Sequence, residues 1–231
     1  MKLIALAAAA ALSLTTYATQ AQAATLSGIF EVQVVNFNAG GSGKGARANR
    51  KNFDARFAAA NDTHKDTFVY NGALDFFVDN FPRDLDLETI SDFLGSLSSG
   101  TVSGLDAGVA GLRLSNPKFQ TTTLFSFTEV YANAFDTSVT HDDGFTIYDD
   151  GEELIGFANP TGVRTTPKTG TINFTGGEFN LIYAAANGNP SKLFVEGDGV
   201  PAVPLPASAL LLMGAMGGFG VAARHKARKA A

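Results

Sequence analysis

Asp142 and Asp143 stand side by side at the entrance of an expected strand, Gly144 to Tyr148. Two adjacent carboxylates repel one another unless hydrogen bonds or a cation offset them. Carboxylates, amide oxygens and loop carbonyls together are the hard donor set that Ca2+ takes, at about six to eight oxygens per ion. The stretch from His141 to Phe157 is not an EF-hand, since it lacks the alternating aspartates and the closing glutamate of that loop. An aspartate-rich solvated turn is the plainer alternative. The later Asp150-Gly151 pair, between Phe145 to Tyr148 and Leu154 to Phe157, has the turn chemistry of a tight hairpin.

Catalytic signatures are scarce. The chain has no Cys, which removes thiolate nucleophiles, disulfides and thiolate metal sites. Between the two compositionally biased ends the only histidines are His64 and His141, and no nucleophile elbow, zinc-protease motif or phosphate loop occurs. A pair of carboxylates could serve a glycosidase, but an acidic surface supplies such pairs without function, and the chain has no Trp to line a sugar cleft. A non-catalytic protein is expected.

Charge is unevenly placed. All 22 acidic residues of the 231-residue chain lie between Glu31 and Asp198, together with 12 basic residues, a net charge of −10 for that span. An acidic protein of this kind repels phosphate backbones, which disfavours nucleic acid as a partner, and favours cations.

The elements that must position these residues are mainly strands. Ile29 to Phe37 is rich in Val and Phe, and after Gly100 short Thr- and Phe-rich runs recur between turns: Leu112 to Leu114, Thr122 to Thr128, Phe135 to Thr140, Gly144 to Tyr148, Glu153 to Phe157, Thr169 to Phe174, Phe179 to Ala184 and Lys192 to Glu196. Thr67 to Tyr70 and Ala73 to Val78, separated by Asn71-Gly72, read as a hairpin. One helix is expected between Asp86 and Leu97, where Leu87, Ile90, Phe93, Leu94 and Leu97 recur at helical spacing with Asp86 as cap. The basic, Asn- and Ala-rich run between Asn38 and Asp66 reads as a long loop or a small helix. The pattern predicts a mainly β fold, an antiparallel β-sandwich with one or two short helices.

Both ends read as addresses. Residues 1–23 carry an early Lys2, an apolar stretch from Leu3 to Leu14 and a polar run ending in Ala21-Gln22-Ala23, the small-x-small pattern of signal peptidase, with cleavage expected after Ala23. The working domain is then 24–199. Residues 200–231 comprise a proline motif with Val203, Pro204, Leu205, Pro206, Ala207 and Ser208, then an apolar run, then a basic tail with Arg224, Lys226, Arg228 and Lys229. The apolar run approaches bilayer-spanning length and the basic residues favour the cytoplasmic side. This tail resembles the VPLPA-CTERM sorting signal, a variant of the PEP-CTERM class of Gram-negative bacteria. The resemblance implies an apolar sorting helix in the inner membrane, processing by an exosortase, and delivery to the cell surface or an exopolysaccharide matrix.

The middle of the chain resembles the sugar-binding sandwich domain shared by protective antigen and flocculin-type adhesins. The resemblance rests on Asp142-Asp143-Gly144, the strand Phe145 to Tyr148, the turn Asp150-Gly151, the strand Leu154 to Phe157, then Gly176-Gly177, Phe179 to Tyr183 and Asn187-Gly188-Asn189, in that order. It implies that Asp142, Asp143 and Asn187 or Asn189 hold Ca2+, which in turn grips sugar hydroxyls. The aromatic residue usual after the second strand is replaced by Ala158-Asn159-Pro160. Three readings follow from the sequence: a Ca2+-assisted polysaccharide-binding adhesion module of the biofilm matrix, a structural matrix protein without sugar specificity, and, with least support, a glycan-active hydrolase.

Overall fold

The computed structural model describes residues 24–79, 88–97, 100–160, 164–165 and 172–198. The expected signal peptide, the sorting segment with its proline motif and basic tail, and the helix positions Asp86 and Leu87 lie outside the described residues. Among those described, no helix is long and apolar enough to cross a membrane.

In chain order the elements are β1 (Ala24–Thr25), β2 (Ser27–Phe37), α1 (Arg50–Ala59), β3 (Lys65–Ala73), β4 (Asp75–Val78), α2 (Ile90–Leu94), β5 (Thr101–Ser103) and α3 (Ala107–Ala110). A short 3-10 turn at Pro117–Phe119 leads into β6 (Thr122–Tyr131), β7 (Phe135–Asp142), β8 (Phe145–Asp149), β9 (Glu152–Phe157), β10 (Arg164–Thr165), β11 (Ile172–Phe174), β12 (Gly177–Ala185) and β13 (Ser191–Asp198). One sheet runs β5-β3-β2-β6-β12-β8-β9; in the other, β13 lies between β7 and the pair β1 and β4, while β10 and β11 pair with the far side of β7. Every pairing is antiparallel, as the short turn-bounded runs predicted.

Alternation along the strands makes the interior. Phe30, Val32 and Val34 of β2, Phe68 and Tyr70 of β3, Phe125 and Phe127 of β6, and Leu181 and Tyr183 of β12 face Phe76 of β4, Val139 of β7 and Leu193 and Val195 of β13 in one buried cluster. Helix α2 closes this core through Ile90, Phe93 and Leu94. Phe76 sits amid the rings of Tyr70, Phe93 and Phe127, at centroid separations of 5.2, 5.0 and 5.8 Å. The outer face of the larger sheet is covered at one end, where Val35, Leu124, Tyr148, Ile182 and Ala184 pack beneath Ala48 and Phe53. This second cover explains why β8 and most of β12 are buried on both faces instead of alternating.

Several local expectations give way to long-range pairing. Asn71-Gly72 is not a hairpin turn: β3 continues through it, with Asn71 paired to Ile29 on one side and Thr101 on the other. The chain instead changes sheets at Leu74, whose N–H donates to the Leu26 carbonyl at 2.9 Å while its own carbonyl accepts from Val195 at 2.9 Å. Gly72 is needed for close approach, because a Cβ there would lie 2.5 Å from the Gly100 Cα and 2.7 Å from the Tyr70 hydroxyl. The expected helix is shorter than its apolar spacing, running from Ile90 to Leu94; Thr89 is the cap, forming a capping box with Asp92, and Leu97 is exposed. Leu112 to Leu114 forms only an isolated bridge, Arg113 to Thr89. The stretch between Asn38 and Asp66 combines a loop and α1, so three short α-helices are seen among the described residues where one or two were expected.

Truncation of Phe76 to Ala should remove the ring that joins three others and cost about 3–5 kcal/mol. Urea unfolding followed by circular dichroism measures it; a loss below about 1 kcal/mol would contradict this placement.

Candidate functional site

The Asp142-Asp143-Gly144 step carries the chain from one sheet to the other, between the end of β7 and the start of β8. A second crossing, Ala186 to Pro190, links β12 to β13. The two are joined by hydrogen bonds: Asp143 N–H donates to the Ala184 carbonyl at 3.2 Å, Ala184 N–H to the Gly144 carbonyl at 2.9 Å, and Ala186 N–H to the Asp143 Oδ2 at 2.7 Å. Gly144 has no room for a side chain, since a Cβ would stand 2.6 Å from the Ala158 carbonyl oxygen. The Asp142–Asp143 and Asn189–Pro190 peptide bonds are cis.

The groups at this corner are withdrawn from water. His141 and Asp143 are each 1% exposed and Asp142 is 4% exposed. The His141 ring lies 4.5 Å from that of Phe145, and its Nδ1 is hydrogen-bonded to the Asp143 carbonyl oxygen. His141 therefore braces the turn. The Tyr183 hydroxyl donates to the Asp142 main-chain carbonyl. Burial, reinforced by the charges of Asp143 and Asp142, holds the Tyr183 phenol well above its ordinary range.

The two carboxylates differ. That of Asp143 accepts the Ala186 amide, whereas that of Asp142 accepts no hydrogen bond among the described residues. Lys192 pairs with Asp142 across the strands, but its ammonium lies 5.6 Å from the centre of the Phe77 ring and acts on Asp75. Burial alone pushes the Asp142 carboxyl from 3.8 up to about 6.

Of the four residues singled out for a cation, the fold brings Asp142 and Asp143 together and sets Asn187 next in the chain to Ala186, the donor to Asp143. Asn187 adopts a left-handed φ of 72°, followed by Gly188 at 88°. Asn189 lies near Glu88, whose carboxyl is raised by burial and by Asp92 and Asp79 and lowered by Asn189. Glu88 lies 101 positions upstream, and no local spacing signals this nearness. Among the described residues no three His, Cys, Asp or Glu side chains gather around one point, so a cation here would depend on amide and carbonyl oxygens as well. Two adjacent carboxylates on residues almost wholly withdrawn from water, beside an Asn-containing loop, are oxygen donors of the kind a hard cation takes.

No family profile matches the chain, and no curated protein matches it. Among solved structures, the PA14 domain of the antifreeze protein MpAFP aligns over 78% of this chain and 89% of its own, at 18% identity and a TM-score of 0.44. The PA14 sugar-binding domain of an RTX adhesin aligns over 74% of this chain and 90% of its own, at 15% identity and a TM-score of 0.47. The fold class stated here rests on the sheets themselves.

The raised Asp142 value has a definite sign. The fold binds a proton more tightly than the unfolded chain, so the cation-free protein loses stability as pH rises from 3.8 to about 6 and carries the full cost above that. Asp142→Asn should flatten this decline and stabilise the protein at neutral pH by up to about 3 kcal/mol. Urea unfolding in EDTA at about pH 4 and about pH 7 reads both; a variant less stable than wild type at the higher pH would refute the assignment.

Proposed function

We propose that this is an exported, non-catalytic adhesion module that binds extracellular polysaccharide through a Ca2+ ion at the β7–β8 crossing. The observation that carries the reading is Asp142, 4% exposed, whose carboxylate accepts no hydrogen bond among the described residues, beside Asp143, whose own carboxylate holds the N–H of Ala186 just before Asn187. Bound Ca2+ would supply positive charge and open coordination positions for sugar hydroxyls. The chain's own residues do the rest. Asp142 and Asp143 provide the carboxylates, and the Ala186 N–H aims the second of them. Tyr183 and His141 fix the turn from beneath, and Asn187 offers an amide oxygen at the rim. Asn189, two residues further on, is the other amide that this loop offers. The order of motifs from Asp142 to Asn189, which resembles the sugar-binding sandwich domain, agrees with this reading.

Delivery belongs to the same proposal. Signal cleavage after Ala23 and exosortase processing at the proline motif would place the acidic domain at the cell surface or in the matrix, after transient tethering in the inner membrane.

Calorimetry of the purified protein should show Ca2+ binding near neutral pH that weakens as the solution is acidified below about 6, where Asp142 takes up a proton. Asp143→Ala should abolish it, and a glycan array read with and without chelator should show Ca2+-dependent binding. Absence of heat in wild type and variant alike, together with array silence, would leave the structural-matrix reading instead.

A further inference from the structure

Residues 38–60 carry five basic side chains, Lys44, Arg47, Arg50, Lys51 and Arg56, against a single acidic one, Asp54, within a span of net charge −10. The fold gathers these cations at the covered end of the larger sheet, and none of them forms a salt bridge with a carboxylate among the described residues. The Arg50 guanidinium lies 4.8 Å from the centre of the Tyr148 ring and that of Arg56 lies 4.5 Å from the Phe37 ring. The Nη2 of Arg50 is buried without a hydrogen-bond partner. Lys44, Lys51 and Lys118 are exposed, and the Lys118 main chain lies beside Gly41 in the loop that opens this segment.

We infer that this face, formed by the loop and α1 from Lys44 to Arg56 with Lys118 at its edge, docks a carboxylated polysaccharide. The inference rests on the glycan-binding reading and names the class of glycan. Charge complementarity carries it: these cations form no salt bridge among the described residues and outnumber the two carboxylates, Glu153 and Asp54, that act beside Arg50 at Tyr148, which leaves a positive field open to a polyanion. The exposed ammonium groups of Lys44, Lys51 and Lys118 stand open to carboxylates along an extended anionic chain. Continuity supports one ligand over both regions. The Ala158 carbonyl accepts the Ala48 N–H at 2.9 Å and is also the atom that crowds Gly144, so the cationic segment and the Asp142–Asp143 corner flank the same residue. Arg47 Nε donates to Asn159 Oδ1 at 2.9 Å along this border. A chain of sugars has the length to reach from one to the other, whereas the domain's net negative charge opposes a densely charged nucleic acid.

The test is titration of the full-length protein in EDTA with hyaluronate, with neutral dextran and with single-stranded DNA, at about 50 mM and about 200 mM salt. Hyaluronate should bind and weaken with salt, dextran should not bind, and DNA should bind more weakly than hyaluronate. The combined variant Lys44→Glu, Lys51→Glu, Lys118→Glu should lose at least about tenfold in hyaluronate affinity, and the same three positions changed to Arg should retain it. The neutral Gln set gives the same reading if charge reversal impairs folding. Equal affinity for dextran and hyaluronate, tighter binding of DNA, or indifference to both the Glu and the Gln sets would overturn the inference. Ca2+-dependent glycan binding that persists without any hyaluronate binding in EDTA would overturn this inference alone. Hyaluronate binding in EDTA with no Ca2+ effect would overturn the calcium reading alone.

Discussion

A carboxylate taken out of water must find protons, donors or a cation, and the crossing between β7 and β8 withdraws two at once. One is answered by the backbone, through the Ala186 N–H; the other is not answered by any described group. The crossing cannot slide outward to solvate Asp142, because Gly144 is pressed against Ala158 and the Asp142 carbonyl is held by Tyr183. The cost of the buried charge is thus built into the way the two sheets are joined. In a protein without disulfides, such a cost persists only because the packed aromatic interior more than offsets it.

The sandwich is joined differently at its two ends. At one, Leu26 and Leu74 carry β1 into β2 and β3 into β4 as apolar pivots, linked to each other and to Val195 by main-chain hydrogen bonds. At the other, the joining residues are Asp142 to Gly144 and Ala186 to Pro190, polar and partly in left-handed conformations. The apolar end needs nothing beyond its own hydrogen bonds. The polar end carries the carboxylates and the left-handed Asn187 on which the proposed site is built.

The strands were legible because each carries its own alternation, and Asp150-Gly151 was legible because its left-handed pair, φ 45° and 87°, closes a two-residue loop between adjacent strands. Asn71-Gly72 has similar composition but a different fate, decided by partners 42 and 30 positions away from Asn71, at Ile29 and Thr101. The candidate site divides along the same line. Asp142 and Asp143 are neighbours in the chain, so their repulsion could be read directly. The nearness of Asn189 to Glu88 and the seating of Tyr183 beneath the turn arise across the fold, where no local spacing encodes them. The basic run near α1 was visible as composition; the rings beneath it come from β2 and β8, far off in sequence.

Net charge alone misrepresents such a molecule. A span of −10 argues against polyanions in general, yet the potential that a ligand meets is set within about 10 Å by local groups, since salt screens the rest. Here the acidic corner and the cationic segment flank one residue, Ala158, with opposite sign on either side. An anionic chain crossing that border would be attracted directly on one flank and repelled by bare carboxylates on the other, and a cation at Asp142 and Asp143 would change the second sign without touching the first. On the proposed reading the two regions would be coupled by electrostatics and adjacency: a cation at the corner would extend the surface that a polyanion can follow, while the basic flank would hold it in either state.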